Sequence, residues 1–181
     1  MGKKNIILIG FMGTGKTTIG KRMARVLGRD FFDTDEDIQY VTGMTIPQIF
    51  SRYDEIRFRS EEALAVLRAV SRDNRVIATG GGVILSSENL DILKANGQVV
   101  LLKTNPEAIF DRIGRKGNRP LLGKNITLQK ITEILREREG FYDSAADLII
   151  HTDNLESDEV VKKIITELNL AKEAHYENLD S

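Results

Sequence analysis

A short glycine-rich segment, GFMGTGKT at residues 10–17, lies between an apolar run and a stretch with helical periodicity. It fits the phosphate-loop pattern of a glycine, any four residues and then Gly-Lys-Thr, which joins a buried strand to a helix. Its glycines allow backbone N–H groups to converge on a phosphate at the positive end of that helix. Lys16 would add a positive charge, and the Thr17 hydroxyl would bind a phosphate-associated Mg²⁺. An ordinary glycine turn is the alternative, which the placement of Lys-Thr disfavours. The residues expected to contact a nucleotide here are Gly13, Thr14, Gly15, Lys16, Thr17 and Thr18.

The composition limits the classes of function open to the chain. Its 181 residues carry a formal net charge of -1, so no overall field attracts nucleic acid or an anionic membrane. The absence of cysteine excludes disulfides, thiolate metal sites and a cysteine nucleophile, and it suits a reducing cytoplasm. No apolar run is long enough to span a bilayer. We therefore expect a cytoplasmic protein without a nucleic-acid or membrane partner.

Short apolar runs alternate with longer amphipathic stretches along the chain. The predicted strands are residues 6–9, 31–32, 76–78, 99–102 and 148–150. Such alternation predicts a parallel sheet with helices on both faces. Pro47 and Pro106 fit first-turn positions of helices, and Ser157 fits an N-cap. Residues 1–171 would form a single domain, and the polar tail at residues 172–181 is expected to fray.

One segment interrupts this alternation. Residues 114–125, GRKGNRPLLGKN, hold four basic side chains, three glycines and a proline between two predicted helices. A solvated surface loop is one interpretation. The other is a mobile lid that closes over a phosphate, with Arg119 as its active cation. The phosphate loop elsewhere in the chain favours the lid.

Polar and glycine residues follow the second and third strands. Ligands of open parallel sheets bind outside the carboxyl ends of the strands, so these positions are candidate site residues. After the second strand, Asp33 could hold Mg²⁺ through water and Asp35 could accept a proton from a substrate hydroxyl. Helix capping is the alternative role for these acids. After the third strand, Gly80, Gly81 and Gly82 form either a flexible turn or a close approach of backbone to ligand.

Four arginines stand in acidic helical surroundings. Arg57 and Arg59 lie in DEIRFRSEE, and Arg136 and Arg138 lie in LREREGFY. Solvated salt bridges are the default role at such spacings. Local spacing alone does not separate a ligand-binding arginine from its neighbours.

Taken together, these motifs resemble the shikimate kinase family, a group of small-molecule kinases with a phosphate loop. The resemblance extends from Asn5 to about Leu168. Besides the phosphate loop it includes DTD at residues 33–35, TGGGV at residues 79–83, RPLL at residues 119–122 and REGFY at residues 138–142. Phe58, Arg59 and Glu62 form an F-R-x-x-E arrangement. Asp54 departs from the family, which usually has a glycine there, so the start of that helix is open.

The resemblance implies a three-layer α/β/α fold with a five-stranded parallel sheet in the order 2-3-1-4-5. It also implies transfer of the γ-phosphoryl of ATP to the 3-hydroxyl of shikimate, with Mg²⁺, in aromatic amino acid biosynthesis. The shikimate-binding segment would be residues 33–62 and the lid residues 114–125. A monomer is expected. Alternatives are another small-molecule kinase of this fold, such as a gluconate or nucleoside monophosphate kinase, or a non-catalytic nucleotide-binding module.

The family pattern assigns a role to each candidate residue. Lys16, Asp35 and Arg119 are the expected catalytic residues, and Thr17 and Asp33 the metal-site residues. The shikimate contacts implied by the resemblance are Asp35, Arg59, Gly80, Gly81, Gly82 and Arg138. Arg112 would stack on adenine, with Asp153 and Asn154 at its other face and Arg115 as a rival for Arg112.

Overall fold

The computed structural model describes residues 4–114 and 127–176. Its strands are β1 (Asn5–Ile9), β2 (Asp30–Asp33), β3 (Arg75–Ala78), β4 (Gly97–Lys103) and β5 (Leu148–His151). All neighbouring strands pair in parallel, in the order β2-β3-β1-β4-β5. Both the parallel sheet and the implied strand order are confirmed. The expected lid, with Arg119 and Arg115, lies mostly outside the described residues.

Helices connect successive strands and cover both faces of the sheet. Those in the described ranges are α1 (Lys16–Leu27), α2 (Thr34–Thr42), α3 (Ile46–Arg52), α4 (Glu55–Val70), α5 (Ser87–Asn96), α6 (Pro106–Gly114), α7 (Leu128–Ala145) and α8 (Ser157–Glu167). Short 3₁₀ turns cover Val83–Leu85 and Ala171–Glu173. Pro47 and Pro106 occupy first-turn positions, as predicted.

The core consists of two apolar layers, one on each face of the sheet. Ile6 and Leu8 of β1 point into a cluster with α1 and α8, while Ile7 and Ile9 point into a cluster with α4, α5 and α7. The central strand is therefore apolar on both faces, which explains its unbroken run of aliphatic residues. The three-layer α/β/α architecture is confirmed.

The strand register brings the ends of β1, β2 and β3 to one edge of the sheet. Leu8 pairs with Ala78, and Ala78 pairs with Asp33 on its other side. The segments that follow these residues are the phosphate loop, the glycine triplet and the start of α2. Side chains from three separate parts of the sequence therefore meet at this edge.

The structure defines the first residues of α4 and α8. The sequence left the start of α4 open and placed the N-cap of α8 at Ser157. Asp54 precedes α4, and its carboxylate accepts a hydrogen bond of 2.9 Å from the N–H of Arg57. The residue that replaces the usual glycine is thus a helix cap. For α8 the N-cap prediction at Ser157 is wrong by one residue, because Ser157 is already helical and Glu156 precedes it. The N–H of Glu156 donates to Glu159 Oε2 at 2.7 Å, so a reciprocal contact within the first turn defines this start.

The C-terminal segment is docked as far as Tyr176, contrary to the expectation that it frays. Glu173 pairs with Arg29 at 2.9 Å, and the N–H of His175 donates to the carbonyl of Val26 at 2.8 Å. Ala174 and Tyr176 pack against the cluster between α1 and α8. Polarity was a poor guide here because the segment has specific partners on the α1 side.

In residues 4–114 and 127–176, every helix is too short or too polar to cross a bilayer.

Two glycines in helix interiors allow a matched test of the packing. A Cβ on Gly20 of α1 would lie 2.6 Å from Phe31 Cε2, whereas a Cβ on Gly140 of α7 would meet nothing within 4 Å. Both changes to alanine reduce the conformational entropy of the unfolded chain by a similar amount. The difference in stability between the two variants therefore measures the clash of the new Cβ with Phe31. We expect Gly140→Ala to raise the free energy of unfolding by about 0.5–1 kcal/mol. We expect Gly20→Ala to lower it by about 1–3 kcal/mol.

Urea denaturation of the two variants and the wild type measures both effects. Equal shifts in the two variants would contradict the close packing of α1 against Phe31.

Candidate active site

The phosphate loop joins β1 to α1 with its glycines in conformations that disfavour other residues. Gly13 and Gly15 have φ angles of 82° and 97°, and α1 begins at Lys16. Inside the loop, the Thr14 hydroxyl donates to the carbonyl of Phe11 at 2.8 Å. The loop therefore closes on itself ahead of the positive end of α1, which is the geometry of an anion site.

Lys16 lies along this loop rather than in solvent. The residue is 8% exposed, and its Nζ donates to the carbonyls of Gly10 at 2.7 Å and Phe11 at 2.9 Å. The ammonium group is thus held close to the loop by backbone acceptors. From this position it can turn toward a phosphate with a short movement of a flexible side chain.

Asp33 connects the second strand to the phosphate loop. Asp33 Oδ2 accepts a hydrogen bond from the Thr17 hydroxyl at 2.7 Å. Asp33 Oδ1 accepts from the N–H groups of Asp35 at 2.9 Å and Glu36 at 3.2 Å. Capping of α2 and the contact with Thr17 are therefore performed by the two oxygens of one carboxylate.

These two oxygen-bearing side chains fit a Mg²⁺ ion that is held mainly by phosphate and water. Mg²⁺ commonly keeps several waters and takes only one or two protein oxygens beside substrate phosphates. The described ranges contain no group of three or more His, Cys, Asp or Glu side chains that could form a closed metal cage. Thr17 and Asp33 match the first arrangement.

A cavity of about 500 Å³ extends from the phosphate loop to the residues after β2 and β3. Its lining includes residues 12–19 together with Asp33, Asp35, Thr79 and Gly81. The cavity thus joins the predicted nucleotide residues to two of the predicted acceptor residues, Asp35 and Gly81. The proposed phosphate end and the proposed proton acceptor face the same space.

Each glycine of the triplet after β3 packs closely against another part of the site. A Cβ on Gly80 would lie 2.7 Å from Asp35 Oδ1 and 3.1 Å from Glu62 Oε1. On Gly81 it would lie 3.2 Å from the backbone N of Met12, and on Gly82 it would lie 2.5 Å from Arg59 Nη1. The triplet is therefore a tightly packed strip between three functional segments, not an unconstrained turn.

The structure separates the two arginines of α4 that the sequence leaves equivalent. Arg57 is exposed and pairs with Glu61 at 2.6 Å. Arg59 lies beside Gly82 and donates from Nη1 to Glu62 Oε2 at 2.8 Å. Its Nε and Nη2 donate to Glu55 Oε1 at 3.2 and 3.0 Å. Only Arg59 of this pair therefore borders the candidate acceptor site.

Glu62 is a buried carboxyl group between the two predicted acceptor arginines. It is 1% exposed, and burial raises its pKa, while the charges of Arg59 and Arg138 act to lower it. Arg138 comes from α7, so helices distant in sequence converge on one carboxyl group. Sequence reasoning noted Glu62 only as part of a motif and gave it no role in the site.

Tyr142 is a second residue that the motif analysis left without a role. It follows Arg138 by one helical turn, is 4% exposed, and its hydroxyl donates to the carbonyl of Gly81 at 2.6 Å. Burial raises the pKa of Tyr142 to about 12, against an opposing effect of Arg138. The only sequence signal was its place at the end of REGFY.

Of the three residues proposed to contact adenine, only Arg112 lines the cavity. Arg112 Nη1 donates to the carbonyl of Gly13 at 3.1 Å. Asp153 instead accepts from the N–H of Asn105 at 2.8 Å and lines a neighbouring cavity of about 330 Å³. Asn154 has a positive φ of 59° and lies outside the lining of the first cavity. The residues of this region that do line it are Thr152, Leu155, Glu156 and Ser157.

Comparison with known proteins gives one consistent result. The sequence profile of the shikimate kinase family matches residues 12–169. Shikimate kinase from Pelotomaculum thermopropionicum is 48% identical over 173 residues, which cover 96% of this chain and 98% of that protein. Shikimate kinase from Thermodesulfovibrio yellowstonii is 46% identical over 164 residues, which cover 91% and 94%.

Solved structures agree with the sequence relatives. Shikimate kinase from Acinetobacter baumannii, in complex with shikimate, matches with a TM-score of 0.89 and 39% identity, over 94% of this chain and 95% of that one. The chain therefore belongs to the shikimate kinase family.

Proposed function

We propose that this protein is a shikimate kinase, an ATP-dependent phosphotransferase that converts shikimate and ATP to shikimate 3-phosphate and ADP. The observation that carries this function is the cavity shared by the phosphate loop, Asp35 and Gly81 of the glycine triplet. Phosphoryl transfer needs a donor phosphate and an acceptor hydroxyl close together and in line. A cavity that joins the two sets of residues meets this requirement.

ATP would enter from the phosphate-loop side. Backbone N–H groups of residues 13–18 and the ammonium of Lys16 would contact its phosphates, and Arg112 would lie against the adenine. Asp153 and Asn154, which lie outside the cavity lining, would complete the adenine side. Thr17 and, through water, Asp33 would hold Mg²⁺, which neutralises phosphate charge when it is bound.

Shikimate would bind against α4, α7 and the glycine triplet. Its planar carboxylate suits guanidinium groups, which grip carboxylates in two places. Arg59 already donates three hydrogen bonds to carboxylate oxygens, two of them to the exposed Glu55. The shikimate carboxylate would replace Glu55 at Arg59 and engage Arg138 as well. Gly80 and Gly82 would border the ring.

Asp35 would accept the proton of the 3-hydroxyl as that oxygen attacks the γ-phosphorus and ADP leaves. A general base of this kind typically contributes about 10²- to 10⁴-fold in rate. Asp35 lies beside Gly80 and lines the shared cavity, so it is close to both substrates. Arg119 of the lid, outside the described residues, is proposed to reach the transferring phosphoryl group.

The wider organisation is part of the same proposal. Residues 1–171 would act as one domain, with shikimate bound by residues 33–62 and covered by a lid at residues 114–125. A monomer located in the cytoplasm is proposed. Sedimentation at working concentrations checks the monomer, and a stable dimer would contradict it.

A coupled assay of ADP release tests the central claim directly. ATP is offered with shikimate, gluconate or a nucleoside monophosphate, and only shikimate is expected to support turnover. Preference for gluconate would favour the alternative small-molecule kinase. Tight ATP binding with no turnover on any acceptor would favour a non-catalytic nucleotide-binding module.

Replacing the proposed base should separate chemistry from nucleotide binding. We expect Asp35→Asn to lower kcat by roughly 10²- to 10⁴-fold, because an amide cannot accept the proton. ATP affinity, measured by calorimetry, should change by less than about twofold, since the phosphate loop is intact. Asp37→Asn is the matched control, because Asp37 is on the same helix but pairs with Arg68 at 2.6 Å. Turnover near the wild-type value in Asp35→Asn would remove Asp35 from the mechanism.

Replacing a guanidinium fork should affect the acceptor alone. We expect Arg138→Lys to raise the KM for shikimate on the order of tenfold, because an ammonium group loses the bidentate contact. The KM for ATP should stay nearly constant. Arg136→Lys on the same helix is the control, since Arg136 lines the neighbouring cavity instead. An equal loss for both substrates would contradict the assigned role of Arg138.

A further inference from the structure

The hydroxyl of Tyr142 connects two parts of the acceptor site that are distant in sequence. Tyr142 and Arg138 lie one turn apart on α7, so they share a face of that helix. The aromatic ring belongs to the apolar cluster between the sheet and α4, α5 and α7. Its hydroxyl leaves that cluster to donate to the carbonyl of Gly81 at 2.6 Å. One side chain therefore joins α7 to the glycine triplet.

Gly81 is the central residue of the triplet, and its position affects the positions of the site residues on either side. A Cβ there would lie 3.2 Å from the backbone N of Met12, so Gly81 packs directly against the phosphate loop. On either side of it, Gly80 packs against Asp35 and Gly82 packs against Arg59. A shift of Gly81 would change the spacing between the base and the arginine.

The same hydroxyl also interacts with Arg138. The guanidinium group lowers the pKa of Tyr142 by charge and by hydrogen bonding, although burial still raises that pKa to about 12. The phenol is therefore protonated at neutral pH and donates to the carbonyl of Gly81, with the positive charge of Arg138 nearby. The hydrogen bond to Gly81 and the neighbouring charge of Arg138 thus meet at one hydroxyl group.

We propose that Tyr142 is a positioning residue for shikimate, which holds Arg138 and the glycine triplet in the relative positions that the acceptor needs. This inference rests on the proposed function, because it concerns the acceptor half of that reaction. Tyr142 touches neither substrate and acts through Gly81 and Arg138. Its loss should therefore weaken shikimate binding without changing the nucleotide half of the cavity.

The variant Tyr142→Phe tests this role, because it removes one oxygen and keeps the ring in the core. We expect the KM for shikimate to rise on the order of tenfold, because the carbonyl of Gly81 loses its donor and the link between α7 and the glycine triplet is removed. The KM for ATP should change by less than about twofold, since Lys16 and Thr17 are untouched. Calorimetric binding of shikimate should weaken by the same factor as the KM rises.

If Tyr142 had a purely structural role, its loss would lower the stability of the protein without a selective rise in the KM for shikimate. Ile165→Val provides the control, because Ile165 is buried on the opposite face of the sheet and its truncation costs a similar amount of stability. This control should leave both KM values unchanged. Incorporation of 3-fluorotyrosine at position 142 restores the hydroxyl and should return the KM for shikimate toward the wild-type value.

The outcomes separate this inference from the proposed function. If wild-type protein fails to phosphorylate shikimate, the proposed function is wrong. If the wild type is active and Tyr142→Phe keeps the wild-type KM for shikimate, the positioning role is wrong. The positioning role is equally wrong if both KM values rise together, or if fluorotyrosine fails to restore the shikimate KM.

Discussion

The pairing of β3 with β1 on one side and β2 on the other is the constraint on which the site depends. It aligns Leu8, Ala78 and Asp33 across three strands, so that the segments after them emerge side by side. Donor and acceptor residues then meet without any long loop having to fold back. The close contact of Gly81 with Met12 follows from this register, since both residues come just after the paired strand ends. Rigid strands thus set the donor–acceptor spacing that phosphoryl transfer requires.

Charge balance explains why the acceptor half suits an anion. Glu62 is buried, and an isolated carboxylate there would be costly. Arg59 pairs with it, and Arg138 lies within electrostatic range, so two cations surround one buried acid. Arg59 has a second partner, the exposed Glu55, which a carboxylate ligand can replace without loss of charge pairing. A neutral sugar offers no such replacement.

Local sequence was sufficient for the features that depend on contiguous residues. The phosphate loop, the strands and the capping of α2 by Asp33 follow from short patterns. The strand order came from the family resemblance, because periodicity does not determine which strands are neighbours. Features that depend on tertiary partners were beyond local reasoning. Arg57 and Arg59 lie on different faces of α4, and only the packing of that helix determines which of them borders the acceptor site. Likewise, the C-terminal segment docks because Glu173 pairs with Arg29, which is distant in sequence.

The two halves of the cavity are attached to the fold in different ways. The phosphate loop is an extension of β1, the central and most buried strand, so its geometry depends mainly on the sheet. The acceptor contacts depend in addition on how α7 packs, because Arg138 is carried by that helix and Tyr142 ties it to Gly81. The packing of Tyr142 in the core and the geometry of the acceptor site therefore depend on the same side chain. A family member could alter its acceptor preference by changing the packing of α7 while the nucleotide half stays the same.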